Sequence, residues 1–234
     1  MPASLIIEPV NGIPVIRPGD DIASILVETI SNNNQVVNDQ DIICIASKIV
    51  SKALDCFKDL STVNVSPTAH RLHTKLPNKD PRILQLVLEQ ANNREDNLRI
   101  NPPWIGAKNQ VGRILTSAGI DKVDDDTVLL LPESPDDNAR TIGEKFKSEY
   151  NTNNGIIITD SDGREGIAGS TQLCIGLYGI PPLRKYFDAE ETICDMLAAT
   201  AGLSMGQQRN NIPAVIIRGF DYTFNSNSRL KDAY

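Results

Sequence analysis

Two aspartates stand where short apolar runs end. Asp160 follows Gly155-Ile156-Ile157-Ile158-Thr159, and Asp121 follows Ser117-Ala118-Gly119-Ile120. In α/β sheets the ligand crevice opens beyond the carboxyl ends of the strands, so side chains at such positions face it. Carboxylates from separate strands suit Mg²⁺ or Mn²⁺, which take oxygen ligands and bridge to phosphate oxygens. A tight turn explains Asp160-Ser161-Asp162-Gly163 equally well, because Asp and Gly are favoured turn residues; spacing alone leaves the two readings balanced. Ser47-Lys48-Ile49-Val50-Ser51-Lys52 follows another apolar run, Asp41–Ala46. Its hydroxyls and ammonium groups suit a phosphate or carboxylate, although a solvated helix start is the commoner use of such a segment. Arg164, Arg184-Lys185 and Arg218 add cations near other strand ends.

Several familiar engines are missing. There is no GxxxxGK followed by Ser or Thr, and Gly163-x-x-Gly166-x-x-Gly169 lacks the spacing of a dinucleotide fingerprint. No HExxH and no GxSxG occurs. Two histidines, His70 and His73, offer little for a Ser-His-Asp or Cys-His mechanism. They lie three apart, a spacing that could share a helix face and would suit a metal; an exposed polar helix is the preferred reading because no Cys or third His is near. Cys44, Cys56, Cys174 and Cys194 form no CxxC and read as reduced thiols.

These residues need elements to position them. Leu5–Val10 reads as a strand, and Asp20 or Asp21 caps a helix from Ile22 to about Ser31. Asp41–Ala46 is a continuous apolar run, suited to a strand buried on both faces. Asp80-Pro81 starts a helix with Ile83, Leu84, Val87, Leu88 and Ala91 on its inner stripe. Residues 92–112 are polar, broken by Pro102-Pro103, and read as loop. Arg113–Ser117 and Thr127–Leu131 read as strands either side of an acidic turn, Asp121–Asp126. Ser134-Pro135 caps a helix to about Tyr150. Gly155–Thr159 and Gln172–Leu177 read as strands flanking a glycine-rich loop, Asp188–Met205 as a helix, and Ala214–Arg218 as a last buried strand. Residues 221–234 read as frayed, or swapped onto a partner. The alternation predicts a mixed α/β (α+β) fold over residues 1–234, one domain or two small packed parts.

Composition sets the outer limits. The 234 residues carry 23 Lys+Arg against 30 Asp+Glu, a net charge of −7, with 40% hydrophobic residues. Those are globular values. The acidic balance argues against nucleic acid as a partner, since no basic surplus is available to displace counterions. No apolar stretch approaches the roughly 20 residues a membrane helix needs, so no membrane association is expected. The apolar run after Met1 stops at Glu8 without a basic stretch, so no secretory signal is expected. A cytoplasmic protein is the expectation.

Certain segments recur together in one order: Gly12-Ile13-Pro14-Val15-Ile16-Arg17-Pro18-Gly19-Asp20-Asp21, Ser47–Ala53 (SKIVSKA), Ala118-Gly119-Ile120-Asp121, Leu131-Pro132-x-x-Pro135-Asp136, Ile157-Ile158-Thr159-Asp160-x-x-Gly163-Arg164, Cys174-Ile175-Gly176, and Met205-Gly206 leading into Ile212-Pro213-Ala214-Val215. As an ordered set from about residue 10 to 220, they resemble the coenzyme F420-0:L-glutamate ligase family, GTP-dependent γ-glutamyl ligases of deazaflavin cofactor synthesis.

The resemblance implies a fold peculiar to that family, an intertwined homodimer, and a reaction. GTP phosphorylates an acceptor carboxylate to an acyl phosphate, and the amine of L-glutamate displaces phosphate to leave an amide. Carried over by position, Asp121, Asp160 and Ser161 would bind Mn²⁺ or Mg²⁺, with K⁺ a further candidate. Asp121, Asp160 and Lys52 would carry the catalysis. Ile13, Pro14, Val15, Ile16, Ser47, Lys48, Lys52, Asp124 and the segment Met205, Gly206, Gln207, Gln208, Arg209, Asn210, Asn211 and Ile212 would line the GTP site. The chain also departs from the family pattern. Asp124 replaces an Asn, Ser161 a Thr, Lys48 a small or hydroxylated residue, and Gln207 a frequent acid. Leu54-Asp55-Cys56 follows SKA where Glu-Gly-Arg is usual, and Ser117 stands for Asn. A loop of around a dozen residues after Tyr186 is missing, which leaves room for a different acceptor, folate-like or peptide. A metal-dependent phosphohydrolase and an inactive nucleotide-binding paralogue are the alternatives from other classes.

Overall fold

The computed structural model describes residues 4–206 and 211–234. Along the chain run β1 (Ile6–Pro9), α1 (Ile22–Asn32), β2 (Ile42–Ala46), α2 (Ser47–Ala53), β3 (Phe57–Asp59), α3 (Pro67–Lys75), α4 (Pro81–Gln90), β4 (Leu98–Asn101), β5 (Trp104–Lys108), β6 (Ile114–Thr116), β7 (Asp121–Lys122), β8 (Thr127–Leu129), α5 (Pro135–Tyr150), β9 (Gly155–Arg164), β10 (Ile167–Tyr178), β11 (Arg184–Tyr186), β12 (Ala189–Glu191), α6 (Ile193–Met205) and β13 (Ala214–Arg218). The fold is mixed α/β. Its elements form two units: the chain up to Asp55 with Ser134–Ser161 and Thr171–Tyr234, and Cys56–Glu133 with Asp162–Ser170.

In the first unit five strands lie in the order β1-β13-β2-β9-β10. β2 pairs parallel with β9 and antiparallel with β13. The runs Ile42–Ile45, Ile156–Ile158 and Ala214–Ile217 are fully buried, as expected of strands covered on both faces. On one face Cys44, Ile157, Val215 and Ile217 pack with Ile193, Leu197, Ala198, Ala201 and Met205 of α6. On the other, Gly143 of α5 lets the helix lie close: an added Cβ would strike the Tyr178 ring and come within 3.2 Å of Ile156. Asp21 caps α1 by accepting from the Ser24 N–H at 3.2 Å.

The C-terminal segment is not frayed: it packs on the core of its own chain. Tyr222 and Leu230 are buried in this same core. The Gly155 N–H donates to the Tyr222 hydroxyl at 2.8 Å. The Leu230 N–H donates to the Asp136 carboxylate at 3.0 Å, which also accepts from the Leu177 N–H at 2.8 Å. Burial raises the Asp136 carboxyl above its ordinary value, against the pull of those two donors.

Two further expectations are corrected here. Residues 160–164 continue β9 rather than turning, and β10 begins at Ile167, so the loop read there is a tight hairpin tip. The helix expected from Asp188 begins at Ile193. Before it, β11 and β12 pair as a two-stranded sheet, with Arg184 on Glu191 at 2.6 Å and Lys185 on Glu190 at 3.3 Å. Such cross-strand ion pairs carry no apolar period for sequence reading to detect.

The second unit holds two three-stranded antiparallel sheets, β3-β8-β7 and β4-β5-β6. The polar stretch 92–112 is therefore not loop. Its Pro102-Pro103 pair sits at a hairpin turn between β4 and β5, and only Leu98, Ile105 and Ala107 face the core formed with Leu72, Leu84, Val87 and Leu88 of α3 and α4. Asp80 caps α4, accepting from the Arg82 N–H at 2.8 Å and gripping its guanidinium at 2.7 Å.

One ion pair in each unit can be tested. At the end of β13 Arg218 donates from Nε and Nη2 to Asp41, the shortest bond being 2.7 Å, and Asp41 is only 2% exposed. Asp41→Ala should lower the unfolding free energy by about 3 kcal/mol, because it leaves the partly buried guanidinium only the more distant Glu8, at 3.6 Å, and the Val36 carbonyl. Chemical denaturation measures this; a loss below about 1 kcal/mol would place the pair with ordinary surface bridges. In the second unit the Arg82 guanidinium holds the Asp80 carboxyl below its ordinary 3.8. A depressed carboxyl stabilises the fold above its unfolded pKa, and that stabilisation disappears as pH falls through the folded value. Below about pH 4, Asp80→Asn should therefore lose stability with acid less steeply than the parent, as followed by thermal unfolding at stepped pH. Parallel curves would refute it.

Candidate functional site

The parallel pairing of β2 with β9 sets Ala46 beside Thr159. One residue further on, the Ser47 hydroxyl donates to Asp160 Oδ1 at 2.7 Å across 113 residues of sequence. Both residues are buried, at 4% and 8% exposure. Ser47 is also the first residue of α2, so the serine that opens the helix orients the acid of the neighbouring strand. Lys48 is exposed, and Lys52, one turn later on the same helix, is half-buried. Ser161 is exposed and follows Asp160 along β9, where successive side chains alternate between faces. A contribution from Ser161 to the same cation as Asp160 would therefore come through its main-chain oxygen.

In the same unit the segment Ile13–Ile16 precedes α1, with Ile13 half-buried, Pro14 and Val15 exposed, and Ile16 buried. Two bonds shape the turn between this segment and the helix. The Arg17 N–H donates to the Asp20 carboxylate at 2.7 Å, and the Gly19 N–H donates to the Ala53 carbonyl at 2.8 Å. The turn is thereby tied to the end of α2. Met205 is buried at the end of α6, and Gly206, at a φ of +65°, caps that helix. Asn211 and half-buried Ile212 lead into β13, while Gln207, Gln208, Arg209 and Asn210 lie outside the described residues.

Asp121 and Asp124 belong to the second unit. Asp121 opens β7, half-buried, after a turn in which Ser117, Ala118 and Gly119 all have positive φ (49°, 60° and 78°). Asp124 is exposed in the turn between β7 and β8, where its Oδ1 accepts from the Asp126 N–H at 2.9 Å. Sequence reading missed a network beside this turn. Asp162 accepts from the Thr116 N–H at 2.7 Å, the Thr116 hydroxyl donates to the Gly163 carbonyl at 2.8 Å, and Trp104 Nε1 donates to that hydroxyl at 2.9 Å. Asp162 is buried, which pushes its carboxyl up despite the Thr116 donor. Its place two residues after Asp160 on one strand was the available signal, hidden by the turn reading.

No group of three or more His, Cys, Asp or Glu gathers closely enough among the described residues to cage a metal. His70 and His73 lie on α3, and His73 Nδ1 is 2.9 Å from the Lys79 carbonyl. The donors expected for a cation, Asp121, Asp160 and Ser161, are all oxygen and few. That set fits Mg²⁺ or Mn²⁺, which retain waters and share substrate phosphate oxygens, rather than a metal held by protein alone.

Comparison with known proteins places this architecture. The F420-0:Gamma-glutamyl ligase family model matches residues 12–219. The Coenzyme F420:L-glutamate ligase of Methanosarcina mazei is 33% identical over 238 aligned residues, covering 96% of this chain and 90% of its own length. The proteins of the same name from Methanopyrus kandleri and Methanosarcina acetivorans are 33% and 34% identical, covering 92% and 91% of this chain and 87% and 85% of theirs.

The bond between Ser47 and Asp160 is directly testable. Ser47→Ala should lower the unfolding free energy by about 1–3 kcal/mol at neutral pH, because a buried carboxylate loses a donor. In an Asp160→Asn background the same change should cost distinctly less, and equal costs in the two backgrounds would show that the pair is not coupled.

Proposed function

The chain belongs to the F420-0:gamma-glutamyl ligase family, and we propose that it joins L-glutamate to the terminal carboxylate of F420-0 with GTP as the phosphoryl donor. The observation that carries this reading is the buried Asp160, oriented by Ser47, in a chain that keeps the family's acids, Asp160 and Asp121, in the family's order.

The chemistry explains the need for a nucleotide. An amine cannot expel oxide from a carboxylate. Transfer of the γ-phosphoryl group to a carboxylate oxygen makes phosphate the leaving group. The glutamate nitrogen then forms the C–N bond, the C–O bond breaks with its electron pair going to phosphate, and the nitrogen gives up a proton. The products are an amide, GDP and phosphate. Asp121, Asp160 and Ser161 would hold Mg²⁺ or Mn²⁺, which neutralises charge gathering on the phosphate oxygens; K⁺ is a further candidate there. Ser47 keeps the Asp160 carboxylate aimed. Lys52 places a point charge on a phosphate. Ile13–Ile16, Lys48, Asp124 and the segment from Met205 to Ile212 line the nucleotide.

One specific observation favours a second acceptor. Between β11 and β12 the chain turns through Phe187 and Asp188 alone, with Phe187 94% exposed. So short a turn supports a smaller or different carboxylate than the deazaflavin. We also propose a homodimer, which the resemblance to the family implies.

Incubation with GTP, Mn²⁺, L-glutamate and F420-0 should add a glutamyl unit, seen by mass spectrometry, with release of one GDP for each amide. Asp121→Asn and Asp160→Asn should each reduce the rate by about 100-fold or more while remaining folded. GTP hydrolysis without an amide product, or nucleotide binding without turnover, would replace the ligase reading by a phosphohydrolase or an inactive paralogue.

A further inference from the structure

Lys79 is the residue before the Asp80-Pro81 start of α4, and its side chain is half-buried in the second unit. Its ammonium donates to Ser117 Oγ at 3.0 Å. Among the described residues that neutral hydroxyl is its only side-chain partner. The neighbouring Asp80 is taken by Arg82, and Asp125 is bonded to Lys122. Burial without a countercharge lowers the Lys79 pKa. A neutral donor would satisfy Ser117 equally well and avoid that desolvation cost. An ammonium offers three donors, and Ser117 accepts one.

The location adds the second half of the argument. Ser117 begins the left-handed turn Ser117-Ala118-Gly119, closed by the Ile120 N–H donating to the Ser117 carbonyl at 3.1 Å, and Asp121 is the next residue. Two successive non-glycine residues in that region are strained. The strain is held in place, because Ala118 is buried in the core with Leu84, Val87 and Ile105. Thr116, just before the turn, is pinned by Trp104 and Asp162. The turn is thus a rigid mount, with an uncompensated cation at one end and Asp121 at the other.

We propose that Lys79 binds an anionic oxygen of a substrate, phosphoryl or carboxylate, delivered to the Asp121 end of the second unit. The proposal rests on the ligase reading for the identity of the substrates, and the charge itself is testable without turnover. Trp104 is the chain's single tryptophan and is bonded to Thr116, one residue from Ser117. Its emission in the full chain should change saturably on titration with inorganic phosphate or with L-glutamate, and whichever responds identifies the source of the oxygen. Lys79→Gln, which keeps a neutral donor, should weaken that binding by about 10- to 100-fold, while Lys79→Arg stays within a few-fold of the parent. In turnover assays Lys79→Gln should raise the KM of one substrate among GTP, L-glutamate and the acceptor by a similar factor, with Tm unchanged. Absence of any Trp104 response to both probes, or equal binding by the parent and Lys79→Gln, overturns the assignment. So does a fall in kcat with a lowered Tm that Lys79→Arg fails to rescue, which marks a structural lysine. Failure to form an amide, with the Trp104 titration intact and weakened by Lys79→Gln, removes the ligase reading and leaves the anion site standing.

Discussion

The parallel register between β2 and β9 is the constraint on which the first unit's chemistry depends. With Ala46 opposite Thr159, the next residue of each segment is Ser47 and Asp160, and the hydroxyl reaches the carboxylate at 2.7 Å. A slip of one residue would carry every side chain of β9 to the opposite face, placing Thr159 or Ser161 where the acid now sits. Burial on both faces of Ile42–Ile45 and Ile156–Ile158 makes that slip costly. Packing of ordinary aliphatic residues therefore determines where one carboxylate points.

The second unit achieves positioning by other means. Its sheets are short, and its core strands contribute few side chains, so regular pairing alone does not fix the turn before Asp121. Hydrogen bonds from both directions onto Thr116, burial of Ala118, and the Lys79 contact on Ser117 do so together. Backbone strain of this kind persists only where the surroundings over-determine it. The two acids that the family pattern singles out are thus mounted differently, one on a buried parallel strand and one beyond a strained turn.

Much of the frame was legible in the amino-acid order. Runs such as Asp41–Ala46, Gly155–Thr159 and Ala214–Arg218 declare buried strands by continuous apolarity, and Asp21 and Asp80-Pro81 announce helix starts by their capping chemistry. The strands β4, β5, β11 and β12 were not legible. The first two show the core only three side chains, and the last two are held by ion pairs across the hairpin. The acidic segment after Thr159 has the composition of a turn, yet it extends as strand because β10 pairs alongside it. For the site, Ser47 and Asp160 were legible as candidates, but their bond spans 113 residues and only the fold reveals it. Lys79 carried no local signal, since its meaning depends on Ser117, 38 residues away.

The departures from the family pattern can be weighed in the same terms. Asp124, where the family resemblance implies Asn, uses Oδ1 to accept from the Asp126 N–H inside its own turn, and its N–H donates to the Thr127 carbonyl at 3.2 Å. An amide oxygen would accept that first bond equally well, so the turn itself does not distinguish the two residues. What the exchange alters is the outward edge of the side chain, which offers acceptors and a negative charge where an amide would offer a donor. Ser161, standing for Thr, is exposed on β9, and loss of a methyl there leaves the core untouched. Both exchanges are therefore silent in the fold.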